Sequence, residues 1–167
     1  MTTQNLRGRT ALVTGGSRGI GAAIVRALAG AGAAVAVNYR ERASEADALV
    51  KHVAGAGGRA IAIAADVSRA DAVVSMVERV KSELGPIDIL VNNAGIAIVS
   101  GVDELSEEDF DHTIAVNLKS VFLCTQAVLA DMRAKQWGRI VNISSGAAMA
   151  RARSGRTTMR PRPASRG

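Results

Sequence analysis

One cysteine, one tryptophan, one tyrosine and two phenylalanines stand among 167 residues. With Cys124 alone, no internal disulfide can form, and a small side chain buried on a helix in a reducing compartment is expected. Phe110 and Trp137 are isolated in the sequence, so no stacking platform for nucleic-acid bases is expected. His52 and His112 have no metal-ligand partners at suitable spacing; both read as surface or helix-flank residues, and no metal site is expected. The opening MTTQNLRGRT lacks the apolar segment of a secretory signal, and no apolar run reads as long enough to span a bilayer. These absences predict a soluble, cytoplasmic protein without a membrane partner. Acidic residues are missing altogether from Ala150 to Gly167, a stretch that carries six arginines and two of the three prolines. Residues 1–149 therefore balance 15 basic against 15 acidic side chains, and the net charge of +6 belongs to the end of the chain. The body offers no basic field to a polyanion, so no specific nucleic-acid partner is expected.

What is present is an alternation. Thr10–Thr14, Ala34–Asn38, Arg59–Val67, Ile87–Gly95 and Gly138–Ser145 are short apolar runs that read as buried strands. Between them lie helical patterns: the run Gly19–Ala33 with Gly30 and Gly32 near its stop, Glu45–Ala54, Ala70–Leu84 and a long one over about Ser106–Lys135. Strands that are apolar along their whole length and alternate with helices predict an α/β fold, a doubly wound parallel sheet covered on both faces. Right-handed crossovers make 3-2-1-4-5 the natural strand order. After Ser145 no further strand or amphipathic helix can be read. The chain thus divides into an incomplete Rossmann-type domain, 1–149, and a basic tail, 150–167, expected to be disordered because it has too little apolar content to offset its ordering entropy.

Thr14–Gly21, TGGSRGIG, falls where the first strand meets the first helix. A tight turn there needs residues free to take positive φ, and a diphosphate must come close to the backbone. Glycine serves both needs, while the helix start directs unpaired N–H groups at the anion.

The spacing of Gly15, Gly19 and Gly21 resembles the Thr-Gly-x-x-x-Gly-x-Gly motif of the short-chain dehydrogenase/reductases. Asn92–Gly95, NNAG, is similar to that family's second signature. Asp66-Val67 follows the third strand, Asn117 lies on the long helix, and Asn142–Ser145 reads NISS; all match the family's order over residues 8–148. Within the family the chain looks closest to the 3-oxoacyl-acyl carrier protein reductases. The resemblance implies an oxidoreductase acting on a small-molecule carbonyl or secondary alcohol, with a nicotinamide cofactor held by Gly15, Ser17, Arg18, Gly19, Ile20, Gly21, Asn38, Arg40, Asp66, Val67, Asn93, Ala94 and Gly95. Asp66-Val67 would hold the adenine. At the end of the second strand a carboxylate would favour NAD(H); Asn38 stands there instead, with Arg18 and Arg40 close by in sequence. Two guanidinium groups suit a 2′-phosphate, so NADP(H) is expected, with NAD(H) as the alternative and Glu41 as the opposing charge.

The resemblance also implies a serine that orients the carbonyl, matched by Ser145, a helix asparagine, matched by Asn117, and a Tyr-x-x-x-Lys pair that supplies the proton. That pair is missing. Tyr39 is the single tyrosine, no lysine follows Lys135, and Thr158 stands where the tyrosine is expected. Residues from Gly155 onward nevertheless admit codons which, read two bases later, spell Pro-His-Tyr-Asn-Ala-Ser-Lys-Ala-Gly-Leu-Glu-Gly. A shifted reading frame near Met149 is therefore expected, and the chain as written is expected to be inactive. The alternative is a non-catalytic nucleotide-binding or subunit-interaction fragment. The family resemblance implies a homo-oligomer through the long helix, whose stripe of Phe110, Ile114, Leu118, Val121, Phe122, Thr125, Val128 and Leu129 would serve both core and partner. Ending the sheet at the fifth strand leaves an apolar edge and face uncovered, so association is expected to be impaired or nonspecific.

Overall fold

The computed structural model describes residues 5–101 and 103–145; the expected basic tail lies outside the described residues. Five strands form: β1 (Thr10–Val13), β2 (Ala34–Tyr39), β3 (Arg59–Ala64), β4 (Ile89–Asn92) and β5 (Arg139–Asn142). They pair in parallel in the order β3-β2-β1-β4-β5, the predicted doubly wound arrangement. The crossovers are α1 (Gly19–Gly30), α2 (Ala43–Gly55), α3 (Ala70–Leu84) and, between β4 and β5, α4 (Glu107–Ile114), a π-helical turn (Ala115–Lys119) and α5 (Ser120–Ala134).

Strand alternation distributes the apolar side chains between two cores. Leu12, Ala36, Ile63 and Leu90 point to the face covered by α3 and α5, where Met76, Val80, Cys124 and Val128 meet them. Ala11, Val13, Val35, Val37, Ile89 and Val91 point to the other face, against Val25 of α1 and Leu49 and Val53 of α2. A strand flanked by helices on both sides has no face for water, which is why these runs are apolar throughout.

Element ends differ from the sequence expectation where polar groups take the chain out of the ladder. β3 stops at Ala64, short of Val67: the Ala65 amide still reaches Tyr39 O (2.9 Å), after which Asp66 turns back to bind Ser68. β5 is shorter than expected, although Ile143 N continues the pattern to Asn92 O (2.9 Å). α2 starts two residues early, at Ala43. α4 begins as its sequence predicts, with the Ser106 hydroxyl accepting from Asp109 N (3.1 Å) and capping the helix.

The long helix corrects one expectation. Its buried row is Val116, Ser120, Cys124, Val128 and Met132, whereas Phe110, Ile114, Leu118 and Phe122 are exposed. Of the expected stripe, Val128 alone is fully buried. Small side chains let α5 approach the sheet closely, and the large ones are left on the outer side, so size-weighted periodicity picks the wrong face. The helical stretch Glu107–Ala134 is also 28 residues long and passes, by length and composition alone, for a helix able to cross a membrane, a test that the core helix of a soluble protein passes too. In the fold its buried row closes one core instead.

At the base of the sheet Asp88, buried just ahead of β4, accepts from Thr10 N (3.0 Å), Arg9 (3.3 Å) and Lys135 Nζ (2.9 Å). The Arg9 guanidinium lies 3.7 Å from the Trp137 ring centre, with Arg139 at 5.0 Å.

Candidate functional site

The carboxyl ends of β1, β2, β3 and β4 converge where the strand order runs outward in both directions from β1, which leaves a crevice at that edge. A cleft of about 400 Å³ lies there. Every cofactor residue expected from the sequence except Gly21 lines it.

Its floor is the turn after β1. Thr14 holds the turn to the end of β4: its hydroxyl donates to Val91 O (3.3 Å) and accepts from the amides of Asn93 and Ala94 (3.0 Å each). The Asn93 side-chain amide donates in return to Thr14 O (2.9 Å) and Gly15 O (3.0 Å). Gly21 sits beneath this arrangement rather than on the cleft wall. A Cβ there would lie 2.6 Å from Asn93 Nδ2 and closer still to the Gly15 carbonyl oxygen, so no side chain fits. Gly15 has φ +59°, and a Cβ would stand 2.9 Å from Ala94 Cα. At Gly19, φ +54°, a Cβ would meet open space, since this residue faces the cleft.

α1 starts at Gly19, and Arg18 gives it no side-chain cap. Ala22 is the first amide to donate back, to Arg18 O (3.1 Å), which leaves the first-turn N–H groups of Gly19, Ile20 and Gly21 without an intrahelical acceptor. An uncapped helix start, reached through a turn that admits no side chain, is a cradle for an anion. The amides of Gly15 and Gly16 are already taken, by Asn38 Oδ1 (3.2 Å) and Asn38 O (2.8 Å).

The far wall carries the charges. Asp66 Oδ1 accepts from the amide (2.9 Å) and hydroxyl (2.7 Å) of Ser68. Burial works against its ionisation, but those two bonds, with Arg40 and His112 nearby, hold the carboxyl below its ordinary value. Arg40 is paired with Glu41 through Nε (2.9 Å) and a terminal nitrogen (2.6 Å), and Arg42 with Glu45 (2.9 Å). Arg18 is exposed on the cleft rim. Sequence reasoning did not find Tyr39, Arg42 and Ile96, which also line the cleft, whereas Glu41, expected as the charge opposing Arg40, does pair with it. Adjacent opposite charges on an exposed strand end were the available signal for that pair.

The two residues expected to act in catalysis lie outside the cleft lining. Asn117, on the π-helical turn, accepts from Ile96 N (2.8 Å) and donates to Ile96 O (2.9 Å), which fastens the loop after β4. Ser145 is exposed, three residues beyond β5 on the same edge of the sheet.

Residues 9–156 match the family model for short chain dehydrogenases. The chain belongs to the short-chain dehydrogenase/reductase family. It is 44% identical over 144 residues to a 3-oxoacyl-[acyl-carrier-protein] reductase of Synechocystis sp., covering 86% of this chain and 58% of that one. Among solved structures it is similar to a blue fluorescent protein from a metagenomic library in complex with NADPH, with TM-score 0.82, 44% identity and coverage of 92% and 61%. It is also similar to a short chain dehydrogenase from Burkholderia cenocepacia J2315 in complex with NADP, with TM-score 0.78, 45% identity and coverage of 87% and 58%. The chain spans 56% to 58% of the length of the curated relatives it matches.

Proposed function

We propose that these residues are the cofactor-binding portion of an NADP(H)-dependent short-chain oxidoreductase acting on a carbonyl or secondary alcohol. The observation that carries the reading is the uncapped start of α1, reached through a glycine turn that Thr14, Asn93 and Asn38 fasten from three sides. When bound, the nicotinamide would supply or accept the hydride. The residues present fit the rest of such a molecule. First-turn amides of α1 would take the diphosphate, Asp66 and Val67 the adenine, and Arg18 with Arg40 the 2′-phosphate, while Asn93, Ala94 and Gly95 would line the path toward Ser145. Binding of the 2′-phosphate asks Arg40 to leave Glu41, so Arg18 is the first contact.

A carbonyl that accepts hydride also needs a proton. Tyr39, the single tyrosine, ends β2, on the side of the cleft assigned here to the adenosine, and no Tyr-x-x-x-Lys occurs in the 167 residues. We therefore assign cofactor binding without turnover to the chain as written, and full activity to the gene read in the shifted frame. On this reading the domain is 1–149, its partner a small carbonyl compound, and its compartment the cytoplasm.

Fluorescence titration with NADPH and NADH tests this. NADPH should bind tighter by roughly tenfold, the effect of one charge-assisted contact. Equal affinities would remove the 2′-phosphate assignment, and binding of neither would remove the nucleotide reading. Arg18→Ala should abolish most of the difference while leaving NADH within about twofold. DNA around Met149 without Tyr-x-x-x-Lys in any frame would remove the lineage argument for turnover.

A second reading, a non-catalytic fragment that competes for partner subunits, is favoured by the exposed outer face of the long helix, where Ile114, Leu118, Phe122 and Leu129 line a groove. Leu118→Asp should then abolish self-association in sedimentation without changing NADPH affinity.

A further inference from the structure

We propose that Asn38 is a positioning residue that couples the diphosphate turn to the adenine end of the cleft, an inference that rests on the nucleotide reading above and deepens it. Its position next to the cofactor-discriminating end of β2 suggested a direct contact with the cofactor, but its side chain is buried and spent on the protein. The carboxamide oxygen accepts from Gly15 N (3.2 Å). The amide nitrogen faces three carbonyls: Ala65 O at 3.0 Å, with Ile63 O and Tyr39 O at 3.4 Å. The backbone oxygen takes Gly16 N (2.8 Å). One residue thus fastens the first two glycines of the turn after β1 and the end of β3, the residue immediately before Asp66.

The chemistry admits few substitutes. A carboxamide offers one acceptor and a two-proton donor on a single short stem. Turned over, it would set an oxygen against three carbonyls and a donor against the Gly15 N–H, so the network defines its orientation. Aspartate keeps the acceptor but, when ionised, repels the carbonyls; leucine keeps the volume and loses both functions. Fixing Gly15 and Ala65, the neighbour of Asp66, to the same side chain constrains the distance between the anion cradle and the adenine carboxylate before any ligand arrives, which lowers the ordering cost of binding.

The test uses ADP-ribose, which spans both ends and lacks a 2′-phosphate that would itself titrate. Asn38→Leu, checked for native circular dichroism, should weaken ADP-ribose by roughly tenfold, the equivalent of one buried polar group left unpaired. Asn38→Asp supplies a readout that lost packing would not move. Burial and the three facing carbonyls both disfavour the ionised form of a carboxyl at this position, so lowering the pH adds the proton that lets the variant donate to Ala65 O. Its affinity relative to the unchanged chain should be lowest at the higher pH and recover as the pH falls. The charged groups around this corner are Arg18 in the turn, Arg40 and Glu41 after β2, Asp66 after β3 and His112 on α4; the ratio removes their direct effect on the ligand, while their coupling to a carboxylate at position 38 is part of what it reads. A folded Asn38→Leu that binds within about twofold of the unchanged chain, or an Asn38→Asp ratio flat with pH, would overturn the proposal. Amide exchange on the unchanged chain covers the case in which neither variant folds. Gly15 and Gly16 should be protected without ligand and Gly19 and Ile20 only with it; fast exchange at Gly15 in the free chain refutes the brace. An unchanged chain that fails to bind ADP-ribose at all would instead remove the nucleotide reading on which the brace depends.

Discussion

β4 and β5 are neighbours in one sheet, paired residue for residue, and they live in different surroundings. Leu90 is fully buried and its partner Ile140 is 37% exposed; Val91 is 3% exposed and its partner Val141 46%. The residue types are alike, and although β4 is paired on both sides and β5, among the described residues, on one, that difference concerns backbone groups and not the side chains. What separates them is cover: β4 has helices over both faces, while among the described residues little closes over β5. An apolar strand side chain predicts burial only when the chain also provides something to lie on it.

Substitutions at paired positions turn that contrast into numbers. Leu90→Ala should cost the most, about 2–5 kcal/mol by thermal or urea unfolding, because the side chain is fully buried and its loss leaves a cavity. A loss below about 1 kcal/mol would mean that the core around β4 is no tighter than that around β5. Asp88→Asn comes next, at about 1–2 kcal/mol, since it retains an acceptor for Thr10 N but removes the charge facing Arg9 and Lys135. Both cations are about a third exposed, so water screens part of their attraction. Burial opposes ionisation of Asp88, yet Lys135, the Thr10 amide and Arg9 outweigh it and hold the carboxyl below its ordinary value. A lowered folded pKa means that the contribution is complete above the unfolded carboxylate value of about 4 and is lost as the pH falls through the folded one. The gap between the unchanged chain and Asp88→Asn should therefore close in acid; a gap independent of pH would remove the charge from the explanation. Ile140→Ala should cost least, under about 1 kcal/mol, because much of the side chain already meets water. A loss equal to that at Leu90 would show that β5 is covered in solution.

Cys124 sharpens the same contrast from inside the helix layer. Burial pushes its thiol up to about 12, so a maleimide should leave it unmodified at neutral pH until the chain unfolds. Rapid labelling of the native chain would place α5 away from the sheet.

Much of this architecture was legible before any coordinates. Strand order followed from the alternation and from the right-handedness of crossovers, and the turn at Thr14–Gly21 from residues that only its geometry explains. The long helix was misread because large side chains dominate a periodicity. Here the helix buries Ser120 and Cys124 and exposes Leu118 and Phe122, a choice set by how near the sheet lies. The work of Asn38 was illegible for a different reason. Its partners Gly15 and Ala65 are separated from it by 23 and 27 positions in sequence, and no local pattern announces a carboxamide that faces inward. Similarly, Asn117 matched a family position, but its clasp on Ile96 depends on a π-helical turn that residue type does not reveal.

The indole flanked by Arg9 and Arg139 gives the molecule a built-in reporter. Trp137 is the single tryptophan, so indole emission, excited at wavelengths that Tyr39 does not absorb, comes from one place, the amino-terminal foot of β5, at the end of the sheet away from the glycine turn. Peeling of that marginal strand should change the colour and brightness of this light before the remainder of the fold gives way, whereas filling the crevice at the other end should leave its spectrum almost untouched.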